Sequence, residues 1–178
     1  MTLSSWSTTS IEDVARAGGP TGLRWFQLYV YNDKEITKAL IQRAERAGYK
    51  ALVITVDTPV LGKRLMDARN RFNLPSHLTL ANFDDTKIGA SLKTVDDDSF
   101  LLRYTQKLID PGLTWETVRW AQGVTKLPVL VKGVLTAEGA LEAVQNGVQG
   151  IVVSNHGARQ LDGVPATVSQ DSANIFEV

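Results

Sequence analysis

The stretch ALVITVD, residues 51–57, carries apolar side chains at nearly every position and then stops on Asp57. A strand with one wet face alternates apolar and polar residues, whereas a strand covered on both faces reads as a continuous apolar run. GIVVS (150–154) has the same character, and RWFQLYVY (24–31) and PVLVKGV (128–134) read as two further buried parallel strands. Parallel neighbours need a crossover, and helical segments lie where crossovers belong. Ser10 caps a short helix that ends at Gly18 and Gly19. Asp33 caps a second, with Ile36, Leu40, Ile41, Ala44 and Ala47 on one face and Gly48 as its stop. Thr114 opens a third, with Val118 and Ala121, and Thr136 a fourth, with Ala137, Ala140, Leu141 and Val144 inward and Gly147 at its end. Strand and helix in alternation make βαβ units and an α/β fold.

Two architectures satisfy that alternation. A doubly wound sheet of the Rossmann type carries a G-x-G-x-x-G fingerprint after its first strand, and none occurs here. A (β/α)8 TIM barrel needs about 250 residues. If the fold is a barrel it is incomplete, with about four βα units legible and an insertion or lid over roughly residues 60–113. That insertion includes Arg64, Arg69 and Arg71 and the acidic run Asp96, Asp97 and Asp98.

Composition narrows the function. The 178 residues are 43% hydrophobic and 21% charged, and 19 basic side chains balance 19 acidic ones. A neutral chain has no long-range field to draw in nucleic acid or an anionic membrane. Cysteine is absent, and the two histidines, His77 and His156, stand too far apart for zinc-ligand spacing. No apolar run nears the ~20 residues of a membrane span, and MTLSSWSTTS lacks signal-peptide character. The expected setting is soluble and intracellular.

The polar residues worth weighing gather at strand ends. Gln27 and Tyr29 come late in the first strand, Thr55 and Asp57 close the second, Lys132 closes the third, and Ser154 and His156 follow the fourth. In an α/β barrel those carboxyl ends form the rim that holds the active site. Each also has a bland reading. Lys132 can snorkel to solvent, Asp57 can serve the Thr58–Pro59 turn, and His156 can bond locally. The three arginines can form a solvated face, and His77 in PSHLT an exposed one. Their coincidence at one rim favours function. From these residues alone, Lys132 also remains open as a Schiff-base nucleophile of a barrel aldolase.

SNHGARQLDG (154–163) resembles the signature of the FMN-dependent α-hydroxy-acid dehydrogenases. TLSSW (2–6), WFQLYVY (25–31), VDTPVLGKR (56–64), RNRFNLP (69–75) and LPVLVKGV (127–134) match in the family's order, most closely its glycolate oxidase branch. The resemblance spans residues 1–167, expected to be a partial FMN domain, implies an incomplete (β/α)8 TIM barrel of about its middle four βα units, and leaves 168–178, VSQDSANIFEV, as a divergent tail. It implies that Ser4, Gln27, Tyr29, Thr55, Lys132 and Ser154 contact FMN, with Lys132 beside the flavin edge that gains negative charge on reduction. It implies that His156 is the catalytic base, Asp57 its charge partner and Tyr29 a bond to the substrate hydroxyl. Arg159 and Arg64 would clamp the substrate carboxylate, and Trp6 would line the side-chain pocket. The implied reaction takes small (S)-2-hydroxy acids to 2-oxo acids, with oxygen as acceptor and hydrogen peroxide as product. The implied parent is a homo-oligomeric peroxisomal enzyme, although Phe176, Glu177 and Val178 are not a peroxisomal tripeptide. The family continues past DGVPAT (162–167) into a further helix, two strands and a glycine-rich phosphate grip. The alternative expectation is a catalytically silent fragment that pairs with full-length subunits.

Overall fold

The computed structural model describes residues 1–83 and 108–170. Its centre is a parallel sheet of five strands in sequence order: β1 (Thr2–Ser4), β2 (Trp25–Leu28), β3 (Ala51–Thr55), β4 (Val129–Val134) and β5 (Gly150–Val153). The crossovers are α1 (Ile11–Ala17), α2 (Lys34–Arg46), α4 (Trp115–Val124) and α5 (Ala137–Gln145). A short α3 (Leu65–Arg69) follows β3, a tight turn (His156–Ala158) follows β5, and α6 (Thr167–Gln170) comes after it. Four βα units and a fifth strand in unbroken neighbour order fit a partial (β/α)8 barrel rather than a doubly wound sheet, whose strand order reverses.

The caps explain where the helices start. Ser10 Oγ accepts from Asp13 N, Asp33 from Glu35 N, and Thr136 from Gly139 N, each satisfying an orphan amide of the first turn. Thr114 precedes α4 without a side-chain capping bond.

Register decides which residues face which layer. Ser4 pairs with Gln27, Gln27 with Val53, and Thr55 with Lys132. Successive side chains alternate across a sheet. One face therefore collects Leu3, Phe26, Leu28, Leu52, Ile54 and Val131, all buried beneath the helices. Each such large apolar side chain contributes about 1.5–3 kcal/mol by leaving water. The opposite face collects Ser4, Gln27, Thr55 and Lys132.

The structure corrects the sequence reading at several points. β1 is a fifth strand that TLS is too short to reveal by periodicity. The strands over 24–31, 51–57 and 150–154 are shorter than expected, so Tyr29, Asp57 and Ser154 lie just beyond strand ends. Lys132 does not close β4, which runs to Val134 through a register shift between those two residues. On α5 the inward residues are Ala140 and Ala143, whereas Leu141 and Val144 are 45% and 56% exposed. Small alanines let that helix lie close to the sheet, and the larger pair is left about half exposed.

The insertion's described flanks belong to the core. Leu80, Phe83 and Ile109 are buried in it, and Tyr31 bridges Ile109 antiparallel. Asn82, 1% exposed, accepts from Ile11 N at 2.9 Å and donates to Ser5 O at 3.1 Å. The Asp96, Asp97 and Asp98 run and most of the 168–178 tail lie outside the described residues. No described helix is long and apolar enough to cross a membrane.

Candidate active site

The site begins with a local backbone departure. His156, Gly157 and Ala158 have φ of 57°, 65° and 57°, three successive left-handed residues. For His156 and Ala158 that conformation costs on the order of 1–3 kcal/mol each, and it persists only where neighbours enforce it. They do so here. Ser154 Oγ accepts from His156 N at 2.9 Å, and Asn155 Oδ1 accepts from Gly157 N at 3.0 Å and Ala158 N at 3.3 Å. The turn aims the imidazole back over the sheet's carboxyl end.

There His156 Nδ1 meets Asp57 Oδ1 at 2.7 Å. A carboxylate only accepts, so Nδ1 carries the proton of that bond and Nε2 is left for other chemistry. Lys132 Nζ stands 3.8 Å from Asp57 Oδ2 and 3.4 Å from His156 Nδ1, so Asp57 lies between two basic groups. Thr58 Oγ1 adds contacts at 3.2 Å to Asp57 and 3.4 Å to His156. Gly133, at φ 114°, makes room for this pair, since a Cβ there would stand 2.5 Å from Asp57 Cβ.

Tyr29 closes one side. Burial, helped by the Asp57 charge, pushes its phenol above the ordinary tyrosine range, with opposing effects from its bond to Thr58 and from Arg64 and Arg159. The phenol stays protonated and serves as a donor. Trp6 stacks against Tyr29 with centroids 4.6 Å apart, and its Nε1 donates to Tyr31 Oη at 3.0 Å. Arg64 has its guanidinium pKa lowered, first by burial and then by Arg159, with Asp67 and Tyr29 opposing. Its Nε is buried and lacks a hydrogen-bond partner among the described residues. Two neighbouring guanidiniums, one incompletely satisfied, suit a carboxylate.

The polar face of the sheet supplies a second surface. Gln27 Nε2 donates to Thr55 Oγ1 at 2.9 Å, and Ser5 N donates to Gln27 Oε1 at 3.2 Å. Ser4 Oγ accepts from Trp6 N at 3.1 Å. A flavin ring asks for amide and hydroxyl partners along its carbonyl and N–H edge and a cation where reduction leaves negative charge. Ser4 and Gln27 in one cross-strand row, with Thr55 and Lys132 in the next row of the same face, form that donor set, so these residues fit FMN.

The structure thus brings His156, Asp57, Lys132 and Tyr29 together, places Arg64 and Arg159 beside them, and puts Trp6 against Tyr29. His77 is exposed and apart. Sequence reasoning missed Thr58, Asn155 and Gln160. The first adjoins Asp57 and the other two lie inside SNHGARQLDG, but no periodicity separates them from ordinary turn residues.

A family model described as FMN-dependent dehydrogenase matches residues 1–172. The chain belongs to the FMN-dependent dehydrogenase family. Within that family it is 54% identical over 169 residues to 2-hydroxyacid oxidase 1 of Homo sapiens, covering 94% of this chain and 45% of that protein. It is 56% identical over 169 residues to glycolate oxidase 3 of Oryza sativa subsp. indica, covering 95% and 45%. A crystal structure of mandelate oxidase with (S)-4-hydroxymandelic acid superposes with a TM-score of 0.83 at 41% identity, covering 95% of this chain and 46% of that one. The chain therefore spans about half the length of the family members it matches.

Proposed function

We propose that the chain carries the catalytic half of an enzyme that oxidises small (S)-2-hydroxy acids to 2-oxo acids. Oxygen is its electron acceptor, hydrogen peroxide its second product and the peroxisome its setting. The observation that carries this reading is His156 Nδ1 bound at 2.7 Å by Asp57 beside the Arg64 and Arg159 guanidiniums. The arginines take the substrate carboxylate, with the planar fork of Arg159 giving it two parallel bonds. The Tyr29 phenol orients the hydroxyl side. His156 Nε2 accepts the hydroxyl proton, and Asp57 balances the imidazolium that forms. Trp6 bounds the space for the substrate side chain. Ser4, Gln27, Tyr29, Thr55, Lys132 and Ser154 would hold FMN, which when bound would supply the acceptor for the α-hydrogen and its electron pair. Lys132 contributes a fixed positive charge to that surface.

A silent fragment that pairs with longer subunits is the second reading. It is favoured by β1 and β5, each paired on one side only among the described residues. The Schiff-base reading fares worse, because the chain belongs to an FMN-dependent family and Lys132 Nζ is engaged by Asp57 at 3.8 Å rather than free in a pocket.

The test is a chimera in which residues 1–167 replace the equivalent stretch of the rice glycolate oxidase. It is expected to retain flavin and convert glycolate to glyoxylate with peroxide release. A folded, flavin-loaded chimera without turnover would overturn the proposal.

A further inference from the structure

The loop after β3 carries Asp57 and Arg64; the turn after β5 carries His156 and Arg159. One side chain crosses between them. Gln160 Nε2 donates to Asp57 O at 3.1 Å and to Val60 O at 2.8 Å, while its Oε1 accepts from Gly62 N at 2.9 Å. All three bonds go to backbone, about a hundred residues away in sequence. We infer that Gln160 is a positioning residue that holds the loop of Asp57 and Arg64 in register with the turn of His156 and Arg159, an inference that rests on the function proposed above.

Three observations support it. The loops touch closely at the same point, since a Cβ on Gly62 would overlap the carbonyl oxygen of Arg159. Arg159 lies near enough to Arg64 for their like charges to oppose close approach, an effect that Asp67, 3.9 Å from Arg64, partly offsets and that a tie between the loops counters. The direct links elsewhere, His156 to Asp57 at 2.7 Å and to Thr58 at 3.4 Å, secure the catalytic pair but not the arginine end. Gln160 reaches toward that end by binding Val60 and Gly62, just before Arg64. A neutral amide suits this place because it donates to two carbonyls and accepts from one amide with the same group.

The experiment uses the full 178-residue chain with oxalate, a two-carbon carboxylate without an α-hydrogen, titrated calorimetrically. Gln160→Ala removes all three bonds. Gln160→Glu keeps an acceptor for Gly62 but sets a carboxylate against two carbonyl oxygens. Both are expected to weaken oxalate binding about 10-fold, the effect of roughly 1.4 kcal/mol of lost positioning. Amide exchange of Gly62 is expected to quicken in Gln160→Ala and to stay slow in Gln160→Glu. Unchanged affinity in both variants overturns the inference, even if thermal stability falls, because a purely structural residue lowers stability alone. If Gln160→Ala does not fold, the Gln160→Glu affinity decides. Arg159→Ala separates the two ideas: if the native chain does not bind oxalate, or this variant binds as well, the proposed anion site fails. Gly62 exchange in Gln160→Ala then decides whether Gln160 joins the loops, and unchanged protection overturns that.

Discussion

His156 is the residue on which the chemistry turns, and its left-handed backbone shows what holding it there costs. Strain on the order of 1–3 kcal/mol at one residue is retained only where the surroundings oppose its release. Asn155 supplies much of that opposition, so Asn155→Ala is expected to slow turnover in the chimera while flavin stays bound. Unchanged turnover would remove the turn from the argument. His156→Ala in the same chimera removes the base and is expected to cost about 10²–10⁴-fold in turnover with flavin absorbance intact. Native-like turnover would refute the base assignment. Arg159→Lys replaces a planar fork with a point charge, so KM for glycolate is expected to rise and turnover to slow. Unchanged kinetics would exclude Arg159 from the site. Tyr29 gives a pH prediction. Its folded pKa is raised above the unfolded value near 10, chiefly by burial. Its contribution to stability is therefore complete below about pH 10 and is lost as pH rises through the folded pKa. Tyr49 is raised by burial as well, so Tyr29→Phe is expected to reduce, not abolish, the alkaline loss of stability. An unaltered alkaline unfolding curve in that variant would contradict this.

Among the elements, the sheet register accomplishes most of the assembly. It puts Ser4, Gln27, Thr55 and Lys132 on one face by alternation, and a slip of one residue would bury all four beneath the helices. β1 and the insertion's flank keep that register at one edge. Asn82 ties them by bonding Ile11 N and Ser5 O. Asn82→Ala leaves two buried backbone groups unpaired, each costing about 1–3 kcal/mol. Chemical denaturation is expected to show a loss of about 2–4 kcal/mol. A loss under 0.5 kcal/mol would mean that water replaces the amide.

At the scale of the whole molecule, the sheet is a row of five strands whose outer members each have one neighbour among the described residues. Barrels hold phosphates with the βα loops of their last strands. Here, among the described residues, β5 is followed by the tight turn His156–Ala158 and by α6, four residues long. The 178-residue chain alone is therefore expected to lose FMN on desalting and to release no peroxide with glycolate. Stoichiometric retention of flavin with substrate-dependent peroxide would show that five strands suffice.

The sequence by itself determined the parallel α/β class, because near-continuous apolar runs such as ALVITV, set between capped helical patterns, read as strands covered on both faces. It also placed most helix caps and named the residues of the His156 cluster through ordered motifs. It missed β1, since three residues show no period, and the inward face of α5, since apolar Leu141 and Val144 satisfy a helical pattern whether or not anything covers them. It could not foresee Gln160 or Asn82, whose importance lies in backbone groups far along the chain. Only the tertiary structure decided those. Strand register and loop approach set which backbone groups meet, and a hydrogen bond between distant loops leaves no periodic trace in the chain.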